Sequence, residues 1–406
     1  MIAKSRVPQI RFKGFSGEWE DKILDKISSS IFDGTHQTPT YTDSGIPFFS
    51  VENLISKSKN KYISNKDYIE ATQKNKPEKN DILITRIGNI GFSKVVIWDY
   101  DFSIYVTLAV VKQSKMFNSF YLNYYIQSSK YQAELVRKSL LSAVPCKINM
   151  NELRSTNIFL PKSITEQTKI GNYFQNLDKL IEQKEKKQQK LKQFKKAMLE
   201  KMFPKDGANT PEVRFKGFSG KWEEKYLGEL TEYKNGKGHE DRQNSHGKYE
   251  LVNLNSISID GGLKHSGKFI DESDITLNEN DLVMILSDVG HGDLLGRVAL
   301  IPENNKYVLN QRVALLRPNN NINPLFLFYN INAHQKYFKL QGAGMSQLNI
   351  SRSSVEDFLS HIPFDCKEQT KIGSYFQKLD KQIDLQLQEL EKLKNIKKAS
   401  LAKMFV

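Results

Sequence analysis

The chain of 406 residues carries 60 Lys and Arg against 46 Asp and Glu, for a formal net charge of +14, which favours a polyanionic partner. A hydrophobic content of 39% with 11% aromatics excludes a disordered polymer and, at this length, indicates two or three domains. Two cysteines, Cys146 and Cys366, exclude a disulfide framework and an all-cysteine zinc site and suit a cytoplasmic location, while no run of about 18 apolar residues or signal-type apolar core offers a membrane address.

In chain order, the first element is one that returns. Residues 8–20 read PQIRFKGFSGEWE and residues 211–223 read PEVRFKGFSGKWE, identical at ten of thirteen positions. A second pair, residues 166–204 and 368–406, opens EQTKIG and closes KKAMLEKMFP or KKASLAKMFV, identical at 23 of 39 positions. The offsets are 203 and 202, half the chain, so the molecule is a tandem duplication of a unit of about 200 residues rather than a short-period solenoid.

Between these repeats, residues 21–165 and 224–367 share only a skeleton. Asn80-Asp81-Ile82-Leu83-Ile84 parallels Asn280-Asp281-Leu282-Val283-Met284, and Leu160-Pro161 parallels Ile362-Pro363. Short β-branched or apolar runs at 82–84, 95–98, 105–111, 282–286 and 312–316, punctuated by Gly, Asn and Asp, read as strands. Short helices are expected to start at Asn118 and at Asn323, where Pro324 fits the first turn. Long exposed loops are expected at 32–45 and 233–248.

The repeated tails read as helices of about 35 residues, on the order of 50 Å. Ile170, Tyr173, Leu177, Leu180 and Ile181, then Leu191, Phe194, Met198 and Met202, form the first stripe. Ile372, Tyr375, Leu379, Ile383, Leu387, Leu390, Leu393, Ile396 and Met404 form the second, with the narrow seam of a coiled coil. Thr165 is placed to cap the first helix and Pro204 to end it. Residues 182–190 have net charge +2 and residues 384–391 have −3, so antiparallel helices would meet with complementary middles. The predicted fold is α+β: a first globule at 1–165, a helix at 166–204, a second globule at 205–367 and a helix at 368–406, related by a pseudo-two-fold repeat.

Catalytic motifs do not survive inspection. Gly262 to Lys268 fits a phosphate loop in spacing, but Phe269 stands where a hydroxyl must hold magnesium. Asn323-Pro324-Leu325-Phe326 is better read as a helix start, the seven histidines show no His-Glu-x-x-His spacing for a metal, and no Gly-x-Ser-x-Gly elbow occurs.

The duplicated order RFKGFSG-x-W-E, variable domain, EQTKIG-x-YF-x-x-LD and long helix resembles the specificity (S) subunit of type I restriction–modification enzymes, over essentially the whole chain. Asp33-Gly34-Thr35-His36-Gln37-Thr38-Pro39 with Gly45-Ile46-Pro47-Phe48 is similar to that family's target-recognition domains, as is the stretch from Gly342 to Ser351. Leu141 to Pro145 departs from that pattern. The resemblance implies a non-catalytic subunit whose two target-recognition domains each read half of a bipartite, asymmetric site in double-stranded DNA. The two helices would pair as an antiparallel coiled coil and act as a ruler between the domains. Two modification (methyltransferase) subunits would bring S-adenosylmethionine, and two restriction subunits ATP and Mg, so no cofactor is expected in this chain. Polar or basic character in predicted loops nominates Thr35, His36, Thr38, Arg86 and Lys147 as DNA contacts in the first domain, and Lys237, His239, Arg242, His291 and Gln347 in the second. Leu177, Ile181, Leu191, Leu379, Ile383 and Leu393 are expected on the partner interface of the helices, with Leu177 and Ile383 exposed. A stand-alone, sequence-specific DNA-binding scaffold is the competing reading.

Overall fold

The computed structural model describes residues 6–56, 61–205, 207–273 and 275–406. The chain divides into two compact units, Met1–Glu185 with Gln388–Val406, and Lys186–Leu387.

The first unit is built on an antiparallel sheet in the order Ile31–Asp33, Leu108–Val111, Ile82–Thr85, Ser93–Val95. The Ile82-Leu83-Ile84 run does not alternate with polar residues because both faces of this sheet are covered. Ile82 and Ile84 enter a core with Trp19, Tyr121 and Ile148. Leu83 faces a second core with Phe49, Phe102 and Val110. A smaller mixed sheet runs Tyr41–Thr42, Lys61–Ile63, Ile46–Phe49, Ser103–Ile104.

The second unit repeats the plan with Thr231–Asn235, Val313–Pro318, Leu282–Ile285 and Val298–Leu300, again covered on both faces. The shared Asn-Asp pair ahead of each central strand has a conformational cause. Asn80 and Asn280 adopt positive φ of 72° and 68°, which asparagine tolerates better than most residues. Asp81 and Asp281 then accept the backbone N–H of Glu78 and Asn278 at 2.7 Å each, and are paired with Lys112 and Arg317.

Asn118 caps helix Ser119–Ile126 by accepting from Phe120 and Tyr121 N–H, and Asn323 caps Pro324–Ala333 by accepting from Phe326 N–H, as expected. Several boundaries differ from the sequence reading. The 95–98 run keeps strand geometry only to Val95, the 105–111 run only over Leu108–Val111, and Phe32, Asp33, Tyr41, Thr42 and residues 233–235 belong to strands rather than loops. The phosphate-loop lookalike, Gly262–Lys268, is an irregular segment that follows a turn at Ser258–Gly261, bridges Ile257 through Leu263 and runs into the strand Phe269–Ile270.

The long helices span Ile164–Met202 and Cys366–Lys403. Ser163, not Thr165, precedes the first, and Glu166 N–H lies 3.4 Å from its hydroxyl. Within the first unit, the early turns of one helix run antiparallel to the late turns of the other. Tyr173 meets Ser400 at 3.0 Å, Asp178 meets Lys397 at 2.6 Å, and Glu185 meets Lys394 at 2.6 Å. Lys184 pairs with Glu389, the charge complementarity anticipated for the helix middles. Within the second unit, Lys195 meets Asp380 at 2.5 Å and Met198, Leu199 and Met202 join a core with Ile372, Phe376 and Leu379.

The stripes are narrower than their sequence suggests. Leu180, Phe194, Leu387 and Ile396 are exposed, whereas Leu177 and Ile383, expected to be exposed, are buried, as is Leu379. Ile181, Leu191 and Leu393 are half-buried.

Each helix ends in a Lys-Met-Phe plug. Met404, Phe405 and Val406, from the second repeat, lie in the core of the first unit. Phe405 packs there on Trp19, Tyr121, Tyr125 and Phe174 at centroid distances of 5.6–6.5 Å. Met202 and Phe203, from the first repeat, lie in the core of the second unit, where Phe203 packs on Trp222, Phe326 and Phe376. Each repeat therefore completes the core of the other repeat's globule.

Burial pushes the Tyr121, Tyr124, Tyr125 and Tyr131 hydroxyls above the ordinary phenol range, with the Asp178 carboxylate adding to the effect at Tyr124. A folded-state pKa above the unfolded value of about 10 gives stability that is present below about pH 10 and lost as pH rises beyond it. Thermal unfolding should therefore drop steeply above about pH 10, with the late phenolate absorbance appearing together with loss of structure. Complete phenolate absorbance from a still-folded chain would contradict this packing.

Candidate nucleic-acid interface

The repeated motifs are docks that seat each long helix on its globule. Arg11 grips Glu166 through two hydrogen bonds of 2.7 and 2.8 Å, and Arg214 grips Glu368 through two of 2.6 and 2.7 Å. Both carboxylates are almost fully buried, so these bidentate pairs fix geometry more than they add net stability. Gln167 accepts from Asn118 N–H and donates to Pro161 C=O, and Gln369 does the same with Asn323 and Pro363. Lys169 lies over Phe12 and Phe15, and Lys371 over Phe215 and Phe218. Gly171 and Gly373 leave room for the capped helix start: an added Cβ would lie 3.0 Å from Tyr121 N and 2.8 Å from the Leu325 side chain, respectively. The Asp of each LD pair accepts a tyrosine hydroxyl, Tyr124 to Asp178 at 2.8 Å and Tyr329 to Asp380 at 2.7 Å.

The candidate contact residues of the first unit converge on one edge. Val106 N–H bonds Thr35 C=O, Arg86 N–H bonds Thr107 C=O, and Ile148 N–H bonds Arg86 C=O, so Thr35, Arg86 and Lys147 occupy neighbouring backbone segments. Thr38 shares a 3.1 Å hydrogen bond with the Tyr105 hydroxyl. Gly34 is required at the start of this loop, because an added Cβ would lie 2.1 Å from Ile104 O. Arg86 is buried and its guanidinium is engaged: Nη1 donates to Asp33 at 3.1 Å and to Val106 C=O at 2.9 Å. The same Asp33 oxygen lies 3.1 Å from Nε2 of exposed His36. Arg86 thus supports the loop from beneath, while His36 and Thr38 stand at the surface.

In the second unit the residues form two groups. Lys237, His239 and Arg242 line one cavity of about 610 Å³ with Tyr233 and Arg352. His239 is a buried wall of that cavity, with Nδ1 unpartnered, rather than an exposed loop side chain. Exposed His291 precedes Gly292, whose added Cβ would lie 3.1 Å from the side chain of Leu348, next to Gln347.

Matched register shows how the two edges differ. Asp33 and Ile84 both flank Ala109, and Asn235 and Met284 both flank Ala314. Asp33 therefore corresponds to Asn235, and Arg86 to Leu286. Gly236, the counterpart of Gly34, faces an even tighter approach, with an added Cβ 1.7 Å from Asn310 O. The sequence reading placed Asp33 and Gly34 in the family-like stretch without giving either a role, and it missed Gly236, which sits at the repeat offset from Gly34 and was findable from it.

Leu141 to Pro145, which departed from the expected pattern, occupies the same place as the Gly342 to Ser351 stretch. Leu140 and Lys147 exchange backbone hydrogen bonds, as do Ala343 and Asn349, and Ile148 and Ile350 bond the carbonyls of Arg86 and Leu286.

The sequence profile of the type I restriction modification DNA specificity domain matches residues 18–193 and again 219–395. Among solved structures, the type I restriction-modification S subunit from M. genitalium aligns over 98% of this chain and 99% of its own, with a TM-score of 0.65 and 17% identity. A chain solved in work on complex assembly and conformational transition of the type I R-M system aligns over 94% of this chain and 96% of its own, with a TM-score of 0.57 and 14% identity. These likenesses agree on the fold, and the two profile matches cover both halves of the duplication. The chain belongs to the type I restriction–modification DNA specificity family.

Proposed function

We propose that this chain is the non-catalytic reader of a bipartite, asymmetric site in double-stranded DNA, with residues 1–165 and 205–367 each reading one half. The observation that carries this reading is the contrast between identical docks and unlike edges. The Arg–Glu, Gln and Asp–Tyr docks recur in both units, whereas Asp33 and Arg86 of the first are replaced by Asn235 and Leu286 at the equivalent positions of the second. One scaffold presenting two different edges suits two different half-sites, read by base-edge contacts while Lys and Arg supply sequence-independent affinity.

The repeated surface suits a partner present in two copies. Lys13 and Ser16 in one half, and Lys216 and Ser219 in the other, are exposed and identical. Two modification subunits would use this surface, and two restriction subunits would join the assembly. S-adenosylmethionine, ATP and Mg belong to those partners in this reading, and the long helices set the gap between half-sites.

Single-molecule sequencing of DNA from cells carrying the chain and its methyltransferase should reveal N6-methyladenine in one motif made of two unlike specified blocks around an unspecified gap. A continuous or palindromic motif, or none, would overturn the proposal.

A further inference from the structure

The two most exposed large apolar side chains of the described residues are Val144, at 99%, and Met345, at 106%. They occupy the same place in the two units. Val144 lies within the loop closed by Leu140 and Lys147, and Met345 within the loop closed by Ala343 and Asn349. Each loop is anchored to the strand end at Arg86 or Leu286. Gly344 has φ of +136°, and an added Cβ would meet Gln347 O at 2.0 Å, so the turn presenting Met345 requires glycine. Single exposed apolar residues are ordinary on protein surfaces. Two fully exposed ones at equivalent tips, on loops whose sequences differ between the halves, call for a ligand.

The occupant follows from what is and is not repeated. A partner bound identically by both halves would meet repeated residues, such as exposed Lys13 and Ser16 with their counterparts Lys216 and Ser219. These loops share no such sequence, LLSAVPCK against AGMSQLN. They belong to the variable surface and lie beside the candidate contacts Lys147 and Gln347. We infer that Val144 and Met345 are apolar probes that press against the bases of their respective half-sites. The contact is made either by insertion at a base step, as apolar wedges do, or against a thymine methyl in the major groove. This inference rests on the bipartite reading above.

The test uses the full chain with its methyltransferase and duplexes carrying the motif found in host DNA. 2-Aminopurine is placed at each step, and deoxyuridine at each thymine, of one half-site at a time. The intact protein should show, in each half, either one step with raised fluorescence or one thymine whose methyl loss weakens binding. Val144→Ser should abolish that signal in one half only and weaken specific binding roughly tenfold, the scale of one lost base contact. Met345→Ser should do the same in the other half. Neither side chain is packed, so thermal unfolding should be unchanged. Variants that bind and signal like the intact protein, or a variant that affects both halves equally, would overturn the inference while leaving the bipartite reading in place. A host motif without two blocks would overturn both.

Discussion

Phe405→Ala should cost the first unit about 3–5 kcal/mol, the range for emptying a large aromatic site in a packed core. Phe405 is fully buried among four rings, and its neighbours Met404 and Val406 are buried with it. All of the surrounding rings come from residues 19–174, so the contacts are long-range and no local rearrangement refills the site. Hydrogen exchange is the direct readout. Amides of the Ile82–Thr85 and Leu108–Val111 strands should lose protection, while those of Leu282–Ile285 and Val313–Pro318 keep theirs. Phe203→Ala should give the mirror-image pattern, because Phe203 fills the corresponding site of the second unit. Equal loss in both units from either substitution would show that the plugs do not act unit by unit.

This reciprocal plugging explains why the Lys-Met-Phe triplets are repeated although they lie at the far ends of the helices. It also marks the limit of what the sequence discloses. Helical periodicity identifies which residues form a stripe but not which body covers it. Leu387 and Ile396 keep the spacing and are exposed, whereas Leu177 and Ile383 are buried. The duplication, the helices and the capped starts at Asn118 and Asn323 were legible because they depend on local spacing and turn chemistry.

The interior placement of Arg86 and His239 was not legible in the same way. Arg86 is held by Asp33, 53 positions away in the chain, and His239 forms part of a wall shared with Leu277, Val308 and Leu315. Polar character in a predicted loop carries no information about such distant cover. The edge itself is better traced by comparing the halves: Gly34 with Gly236, Asp33 with Asn235, Arg86 with Leu286 and Val144 with Met345.

The repeated docks give the account its mechanical sense. Arg11 and Glu166, Lys169 and the Phe12–Phe15 pair, and Tyr124 and Asp178 hold the first helix to the first globule through side chains that are the same in the second unit. The candidate contact residues, by contrast, lie on loops and strand ends that differ between the units, with Asp33 and Arg86 in one where Asn235 and Leu286 stand in the other. A segment carried by such a frame should be exchangeable without disturbing the other unit, because its boundary strands, Glu20–Ile23 and Asn157–Leu160, pair with each other.

The central claim, two independent readers on one duplicated frame, is tested most directly by replacing residues 21–160 with the matching segment of another family member and sequencing N6-methyladenine in the host DNA. The account predicts a new motif with one half changed completely and the other half and the gap retained. A motif altered in both halves, or in neither, would contradict it.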